Sequence, residues 1–248
     1  MNKVVLITGA ANGIGKAIAI ELAKNNYDIV INYFHSEEKA IKLKEELISN
    51  YHINALAVKA DVSNEADVLN MAKEVKEKMG GVDILINNSA IDLSNLFNLK
   101  TADEFRKTLD VNVVGAFNCA KVFGKDMLDK KYGRIINISS TNGINTYFPM
   151  SIDYDASKAA LISLTHNLAI QYAPYVNVNA IAPGFIGTEN ELEGYDEEFL
   201  KAEQEKILVQ RYGEPEEVAH LVKFLISDEA NYINNTVIRI DGGQKGSN

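Results

Sequence analysis

Cysteine and long apolar runs are both scarce in this sequence of 248 residues. The one cysteine, Cys119, has no partner for an intrachain disulfide, so we expect a reducing, cytoplasmic environment. No segment reaches the roughly 18 consecutive apolar residues of a membrane-spanning helix, so we expect no membrane partner. The apolar run 4–7 begins too early, and is followed too soon by Thr8-Gly9, to be a signal peptide.

Positive charge is also in deficit. The chain has 25 lysines and arginines against 34 aspartates and glutamates, a net charge of -9 and a pI near 5.0. This balance argues against nucleic acid and anionic membrane surfaces as partners. The histidines have no metal-ligand spacing, so we expect no metal site; they are His35, His52, His166 and His220.

Short apolar runs alternate with amphipathic stretches, which is typical of a parallel sheet with helices on both faces. In the first amphipathic stretch, Ile14, Ile18 and Leu22 fall on one helical face. We predict seven strands, at 4–7, 29–31, 55–58, 84–86, 134–138, 176–181 and 237–240. Because no repeat or linker interrupts them, residues 1–248 are expected to form a single doubly wound α/β domain.

Local signals mark several helix ends. Ser63 is expected to cap the helix that Gly80-Gly81 ends, and residues 101–104 have the pattern of a capping box. The helix that carries Tyr154 is expected to end before Pro174.

Segment 187–210 differs from the rest because it is rich in acid and contains no core-like strand. Its acidic residues are Glu189, Glu191, Glu193, Asp196, Glu197 and Glu198. A solvated surface helix accounts for these charges. The position of the segment after the end of a strand also favours a mobile substrate lid, and both interpretations can hold.

The first strand leads into a glycine-rich turn, Thr8 to Gly15, and then into a helix. Glycines allow a tight turn and a close approach of the backbone, and a helix N-terminus offers free amides and a positive dipole end. A strand, turn and helix in this order predict a cradle for a dinucleotide pyrophosphate.

A second motif places Tyr154 four residues before Lys158, so the two share one face of a helix. A cation there favours tyrosinate and lowers the pKa of the phenol from about 10, toward use in general acid–base catalysis. Such pairs arise by chance in many helices, so the functional interpretation depends on the other motifs.

Together these motifs resemble those of the short-chain dehydrogenase/reductase family. The likeness covers essentially the whole chain, and further matches follow in the family's order. They are Asp61-Val62, Asn87-Asn88, Asn112, Ser139-Ser140, Pro183-Gly184 and Asp241-Gly242-Gly243. The resemblance implies a Rossmann fold and an NAD(P)H-dependent oxidoreductase that interconverts a carbonyl and a secondary alcohol.

The resemblance also implies catalytic roles. Tyr154 would exchange a proton with the substrate oxygen, and Lys158 would bind the nicotinamide ribose and lower the pKa of the tyrosine. Ser140, rather than its neighbour Ser139, would hold the substrate oxygen. Asn112 would hold a water that links Lys158 to solvent.

Cofactor contacts are implied in the same way. They are Gly9, Asn12, Gly13, Ile14, Gly15, Asn32, Ser36, Asp61, Val62, Asn88, Tyr154, Lys158, Pro183, Gly184, Ile186 and Thr188. Ser89-Ala90 stands where the family usually has Ala-Gly. We expect this departure to be tolerated because both residues are small.

The choice between NADP and NAD depends on the end of the second strand, where a carboxylate selects NAD and basic groups select the 2'-phosphate. Asn32 is uncharged, His35 and Ser36 can donate hydrogen bonds, and Lys39 follows. Asn12, however, stands where many NADP-using relatives have arginine. We therefore favour NADP and keep NAD as the alternative.

Within the family, the chain is most similar to the 3-oxoacyl-acyl-carrier-protein reductases, through residues 130–134 and 211–219. Lys131 could attract the acidic carrier protein, whereas Ile170 stands where a second basic residue is expected. An NAD-dependent sugar, small-alcohol or hydroxysteroid dehydrogenase is therefore the alternative enzyme.

An alternative of another class is a dinucleotide-binding sensor without activity. The four candidate catalytic residues are all present, which favours an enzyme. By resemblance we expect a homotetramer, with a dimer as the alternative.

Overall fold

The seven predicted strands form one parallel sheet in the computed structural model, which describes residues 2–246 apart from the side chain of Asn190. The strands are β1 (Val4–Ile7), β2 (Asp28–Tyr33), β3 (Ala55–Lys59), β4 (Ile84–Asn87), β5 (Gly133–Ile138), β6 (Val176–Pro183) and β7 (Val237–Ile240). Their spatial order is β3-β2-β1-β4-β5-β6-β7. The order reverses between β1 and β4, and sheets of this kind bind ligands in the crevice at such a point.

Nine α-helices accompany this sheet in the described part of the chain. They are α1 (Gly13–Lys24), α2 (Glu37–Tyr51), α3 (Glu65–Met79), α4 (Ala102–Leu109), α5 (Gly115–Lys130), α6 (Ile152–Tyr172), α7 (Glu189–Glu193), α8 (Glu197–Glu205) and α9 (Pro215–Ile226). None of them is both long enough and apolar enough to cross a bilayer.

Alternate residues of the strands face two separate cores. Val5 and Ile7 of β1 pack with α1, α2 and α9, whereas Val4 and Leu6 pack with α3, α5 and α6. Successive side chains of a strand point to opposite faces, so both faces of a parallel sheet need apolar residues. The predicted doubly wound α/β fold is confirmed.

The helix-end predictions hold with one exception. The capping box of Thr101 and Glu104 is present, and α6 ends at Tyr172, before Pro174. Asn64, not Ser63, caps α3, because the Asn64 side chain accepts hydrogen bonds from the first turn. The Ser63 hydroxyl instead donates to Asp61, at 2.7 Å.

The helical stretch that begins after Thr101 is divided into three parts. α4 ends at Leu109, a π-helical segment occupies Asp110–Val114, and α5 follows. The π-helical segment contains Asn112, which is 2% exposed. Single π turns inside α-helices are frequent at functional sites.

Segment 187–210 contains the two short helices α7 and α8, and most of its side chains are exposed or half-buried. Thr188 and Asp196 cap these helices through their side chains. The expected surface helix is therefore present, and its action as a lid stays a prediction.

Candidate active site

A large cavity of about 1400 Å³ opens at the carboxyl ends of the strands. Of the predicted site residues, Asn112 alone does not line it. Those that do are Gly9, Asn12, Gly13, Ile14, Gly15, Asn32, Ser36, Asp61, Val62, Asn88, Ser140, Tyr154, Lys158, Pro183, Gly184, Ile186 and Thr188. The fold therefore brings residues from six different strand ends to one place.

The glycine turn fits its predicted role as a cradle. Gly9 and Gly13 have positive φ angles of 62° and 52°, which glycine adopts without steric cost. A Cβ on Gly15 would lie 2.7 Å from Asn88 Nδ2 and 2.8 Å from the Gly9 carbonyl oxygen. The turn therefore has no room for a side chain at position 15, and its residues line the cavity beside the N-terminus of α1.

Thr8 ties this turn to the end of β4, a role that the sequence analysis did not assign to it. Its Oγ1 accepts hydrogen bonds from the backbone N–H groups of Asn88 and Ser89, both at 2.9 Å. Asn88 Nδ2 in turn donates to the Thr8 carbonyl at 2.9 Å. A hydroxyl just before the first glycine was the available signal for this contact.

Two of the residues predicted to contact the cofactor form hydrogen bonds with other groups of the protein. Asn32 is 1% exposed, accepts a hydrogen bond from the Gly9 N–H and donates one to the Ala60 carbonyl. Asp61 Oδ1 accepts hydrogen bonds from the backbone and hydroxyl of Ser63. Both residues line the cavity, and their contact with a cofactor stays a prediction.

The rim of the cavity after β2 is formed by Phe34, His35 and Ser36. The rings of Phe34 and His35 lie 4.3 Å apart. Lys39 does not line the cavity within the described residues. His35 and Ser36 are therefore the polar side chains that this loop presents.

Tyr154 and Lys158 lie one turn apart on α6. Lys158 Nζ is 5.2 Å from the centre of the tyrosine ring and donates a hydrogen bond of 2.8 Å to the Ile138 carbonyl. Lys158 is 2% exposed, and this burial lowers the pKa of its ammonium group to about 8. Burial disfavours the charged form, which accounts for the direction of the shift.

The two adjacent serines have different hydrogen-bond partners. The Ser139 hydroxyl donates a hydrogen bond of 2.9 Å to the Lys158 carbonyl and so ties β5 to α6. Ser140 Oγ accepts a hydrogen bond from the Asn142 N–H, and it interacts with the phenol of Tyr154. Ser140 is thus the serine placed beside the tyrosine.

The expected lowering of the tyrosine pKa is wrong for this structure. Burial raises the pKa of Tyr154, and the Glu191 and Asp92 carboxylates raise it further, while hydrogen bonding to Ser140 acts in the opposite direction. The groups that act most strongly on the pKa of Tyr154 do not include Lys158, whose Nζ donates its hydrogen bond to the Ile138 carbonyl rather than to the phenol. The tyrosine therefore carries its proton at neutral pH.

Asn112 lies behind the cavity wall. Its Nδ2 donates to the Ile91 carbonyl and to Ser157 Oγ, both at 3.0 Å, and its Oδ1 accepts from the Ile91 N–H at 2.8 Å. These bonds join the loop after β4 to α6. The predicted role of Asn112 in holding a water stays a prediction.

Aromatic rings form another wall of the cavity, which the sequence analysis did not identify. Tyr195 and Phe199 stack at 4.4 Å between ring centres, and Phe185 lies 6.4 Å from Tyr195. Phe148 packs edge-on against Phe199 at 6.4 Å. In the sequence, the four-residue spacing of Tyr195 and Phe199, just before and within α8, could have indicated this aromatic wall.

Two carboxylates face the same space. Asp92 Oδ2 accepts hydrogen bonds from Ser151 Oγ at 2.6 Å and Ser94 Oγ at 3.1 Å. Partial burial and the nearby Asp92 carboxylate raise the pKa of Glu191. Within residues 2–246, the His, Cys, Asp and Glu side chains form no group of three that could hold a metal ion.

The sheet order, the glycine turn at the start of α1 and the group of Ser140, Tyr154 and Lys158 together define a dinucleotide-binding oxidoreductase. The family model described as "Enoyl-(Acyl carrier protein) reductase" matches residues 9–245. The chain belongs to the short-chain dehydrogenase/reductase family, as its motifs indicated.

Known proteins similar to this chain include the 3-oxoacyl-[acyl-carrier-protein] reductase FabG of Staphylococcus epidermidis. It is 36% identical, over 98% of this chain and 99% of its own. The solved structure of ElxO with NADP bound has a TM-score of 0.89 and 35% identity, over 98% of both chains. A 3-oxoacyl-[acyl-carrier protein] reductase with bound NAD from Brucella melitensis has a TM-score of 0.87 and 30% identity, over 98% of this chain and 90% of its own.

Proposed function

We propose that this protein is an NADP-preferring reductase that converts a 3-oxoacyl thioester, carried by acyl carrier protein, into the 3-hydroxyacyl thioester. The observation that carries the proposal is the meeting of Ser140, Tyr154 and Lys158 in the cavity that also contains the glycine turn. The likeness to a FabG over nearly the full length of both chains supports the acyl substrate.

In this mechanism the backbone of Gly9 to Gly15 binds the pyrophosphate, and Lys158 binds the nicotinamide ribose. The bound cofactor supplies the hydride. Ser140 donates a hydrogen bond to the substrate oxygen and orients the carbonyl. Tyr154 gives its proton to that oxygen as negative charge develops there. The phenol is protonated at neutral pH, since its ordinary pKa is about 10 and burial raises that pKa further.

NADP is favoured because Asn32 stands near the end of β2, where a carboxylate would select NAD. Asn32 is neutral, and its amide is held by the backbone of Gly9 and Ala60. His35 and Ser36 at the cavity rim can donate hydrogen bonds to a phosphate. Solved relatives are known with NADP bound and with NAD bound, so the coenzyme preference of this protein requires a direct measurement.

A small uncharged ketone is the second candidate substrate. Ile170 is 73% exposed where a basic residue would attract the acidic carrier protein. The aromatic wall of Tyr195 and Phe199, together with the Asp92 and Glu191 carboxylates, disfavours anionic groups close to the carbonyl. A 3-oxoacyl chain and a small ketone are both uncharged next to the reacting carbonyl, so this wall is compatible with either substrate.

The test is the loss of NADPH or NADH absorbance with an acetoacetyl thioester, a diketone, a ketosteroid and a keto sugar. We expect turnover of the thioester with NADPH, and loss of that turnover in Tyr154→Phe. Turnover only with NADH, or only of a small ketone or sugar, would replace the proposed substrate. Cofactor binding without turnover of any of them would favour the sensor.

We also propose that the protein is a homotetramer located in the cytoplasm. Phe117 on α5 is 45% exposed, while its neighbours Ala116, Ala120 and Phe123 are buried. Val114, three residues before Phe117, is also exposed at 39%, and two neighbouring exposed apolar side chains fit an interface between copies of the chain. Sedimentation of the wild type and of Phe117→Glu would test this assembly.

A further inference from the structure

Lys100 and Asp153 form a buried ion pair outside the group of residues that would contact the substrate. Lys100 Nζ lies 2.8 Å from Asp153 Oδ1, and the two side chains are 5% and 0% exposed. No other ion pair among residues 2–246 has both side chains so completely buried. Such a pair needs an explanation because desolvation of two charges opposes folding.

The pair holds three segments together. Asp153 Oδ2 accepts a hydrogen bond of 2.7 Å from Thr108 Oγ1 on α4. Lys100 Nζ also donates a hydrogen bond to the Leu93 carbonyl. The loop 88–100, helix α4 and the first turn of α6 therefore share one charged, hydrogen-bonded centre.

The positions of these residues along the chain connect that centre to the site. Asp153 directly precedes Tyr154, and Thr108 lies four residues before Asn112 in the π-helical segment. Asn112 makes a second connection between the same elements, because it binds the Ile91 backbone and Ser157 Oγ. Two separate sets of hydrogen bonds thus fasten the loop to the helix of the catalytic tyrosine.

The charges are better suited to orientation than to stability. Apolar residues of similar size often stabilise a fold as well as a buried ion pair does. Hydrogen bonds to both carboxylate oxygens of Asp153, from Lys100 and Thr108, are directional, so they set the rotation of the first turn of α6. A small change in the rotation of that turn would move the phenol of Tyr154.

We propose that Lys100, Asp153 and Thr108 are positioning residues, which hold the Tyr154 phenol and the 88–100 loop in the arrangement needed for proton transfer. This inference rests on the proposed function, in which Tyr154 donates the proton. Although burial acts to raise it, the pKa of Asp153 is lowered by hydrogen bonds from Lys100 and Thr108, consistent with a carboxylate held in its charged form.

The test compares two variants that avoid a lone buried charge. Lys100→Met with Asp153→Asn removes both charges at similar volume, and Thr108→Val removes one hydrogen bond. We expect kcat for carbonyl reduction to fall about tenfold to a hundredfold in the double variant, and less in Thr108→Val. The KM for NADPH is expected to stay within about twofold of the wild type, since the hydrogen bonds that hold Asn88, at the start of the loop, to Thr8 are unaltered. Asp103→Asn, which breaks an exposed ion pair with Arg106 on the same helix α4, is the matched control and should leave kcat unchanged.

A second measurement does not depend on turnover. In protein labelled with 3-fluorotyrosine, the 19F resonance missing from Tyr154→Phe identifies the catalytic ring. We expect that resonance, and its pH titration, to shift in the double variant and not in Asp103→Asn. If the wild type reduces no carbonyl, the proposed function fails, while the resonance still tests the positioning.

Two outcomes would overturn the inference. One is a folded double variant with wild-type kcat and an unmoved Tyr154 resonance. The other is a loss of kcat that merely follows the loss of folded protein or of NADPH binding, because that would assign the ion pair a structural role alone.

Discussion

The ammonium group of Lys158 lies 5.2 Å from the centre of the Tyr154 ring and donates its hydrogen bond to the Ile138 carbonyl. Proximity of a cation therefore does not by itself give an acidic phenol. Burial acts on both groups, raising the pKa of the tyrosine and lowering that of the lysine, so each neutral form is favoured. A protonated tyrosine suits the proposed reductive reaction, in which it would give up a proton.

Tyr154→Phe removes the proposed acid while it keeps the ring. We expect turnover to fall by about a hundredfold or more, the usual contribution of a general acid, and NADPH binding to stay near the wild-type value. Steady-state kinetics and fluorescence titration with NADPH measure the two effects. Tyr232→Phe, at a fully exposed tyrosine, is the matched control. Equal turnover of the two variants would refute the role of Tyr154.

Lys158 should make stability depend on pH. Its pKa falls from 10.5 in the unfolded chain to about 8 in the folded one, so the unfolded chain binds more protons between these values and stability rises with pH there. Below pH 8 the buried charge opposes folding. Lys158→Met should therefore increase the free energy of unfolding at pH 7, by roughly 3 kcal/mol at most for such a shift.

Urea denaturation of the wild type and of Lys158→Met between pH 7 and pH 10.5 checks this prediction. The difference between the two should shrink as pH rises through the window, because the wild-type lysine loses its charge in the folded state. A difference that does not change with pH would contradict the lowered pKa. Loss of NADPH affinity in the same variant would support the ribose contact.

Glu191→Gln removes a carboxylate that raises the pKa of Tyr154. In the oxidative direction of the proposed mechanism the tyrosine would act as a base, so the alkaline rise of the rate should move to lower pH in this variant. The pH profile of kcat for alcohol oxidation measures the shift. Glu189→Gln, at an exposed residue of the same helix outside the cavity lining, should leave the profile unchanged. A profile that moves equally in both variants would argue for a general charge effect.

Gly15→Ala tests the glycine cradle. The added Cβ would meet Asn88 Nδ2 and the Gly9 carbonyl below 3.0 Å, and the Ala10 Cα at 2.9 Å. The backbone must shift, so we expect a stability loss of about 1–3 kcal/mol and at least tenfold weaker NADPH binding. At Gly187 a Cβ would meet nothing closer than 3.6 Å, which makes Gly187→Ala the control. Unaltered NADPH binding in Gly15→Ala would exclude the turn as the cofactor cradle.

Much of the fold follows from local patterns. The seven strands were predicted within a few residues because buried parallel strands need continuous apolar runs. The turn from Thr8 to Gly15 was found because positive φ angles and close packing need glycine. The prediction of Ser63 as a helix cap was wrong. Two adjacent polar residues, Ser63 and Asn64, satisfy the same sequence signal, and the Ser63 hydroxyl instead donates a hydrogen bond to the Asp61 carboxylate.

Other features depend on groups far apart in the sequence. Asp92 and Glu191 come from different strand ends, and both act on the pKa of Tyr154. Lys100 and Asp153 are 53 positions apart and form one buried ion pair. Neither relationship leaves a periodicity or a motif that a reading of the chain could detect.

Resemblance to the family identified the tyrosine, lysine and serine that meet at the site. The amino-acid sequence alone determined the order of strands and helices and the glycine turn. These depend on side-chain period and backbone conformation, which are properties of neighbouring residues. Only the tertiary structure decided which of those groups are buried, which carboxylates lie beside them, and therefore the direction of their pKa shifts. Burial and electrostatic interaction depend on distance in space, and the chain brings those distances about only when it folds.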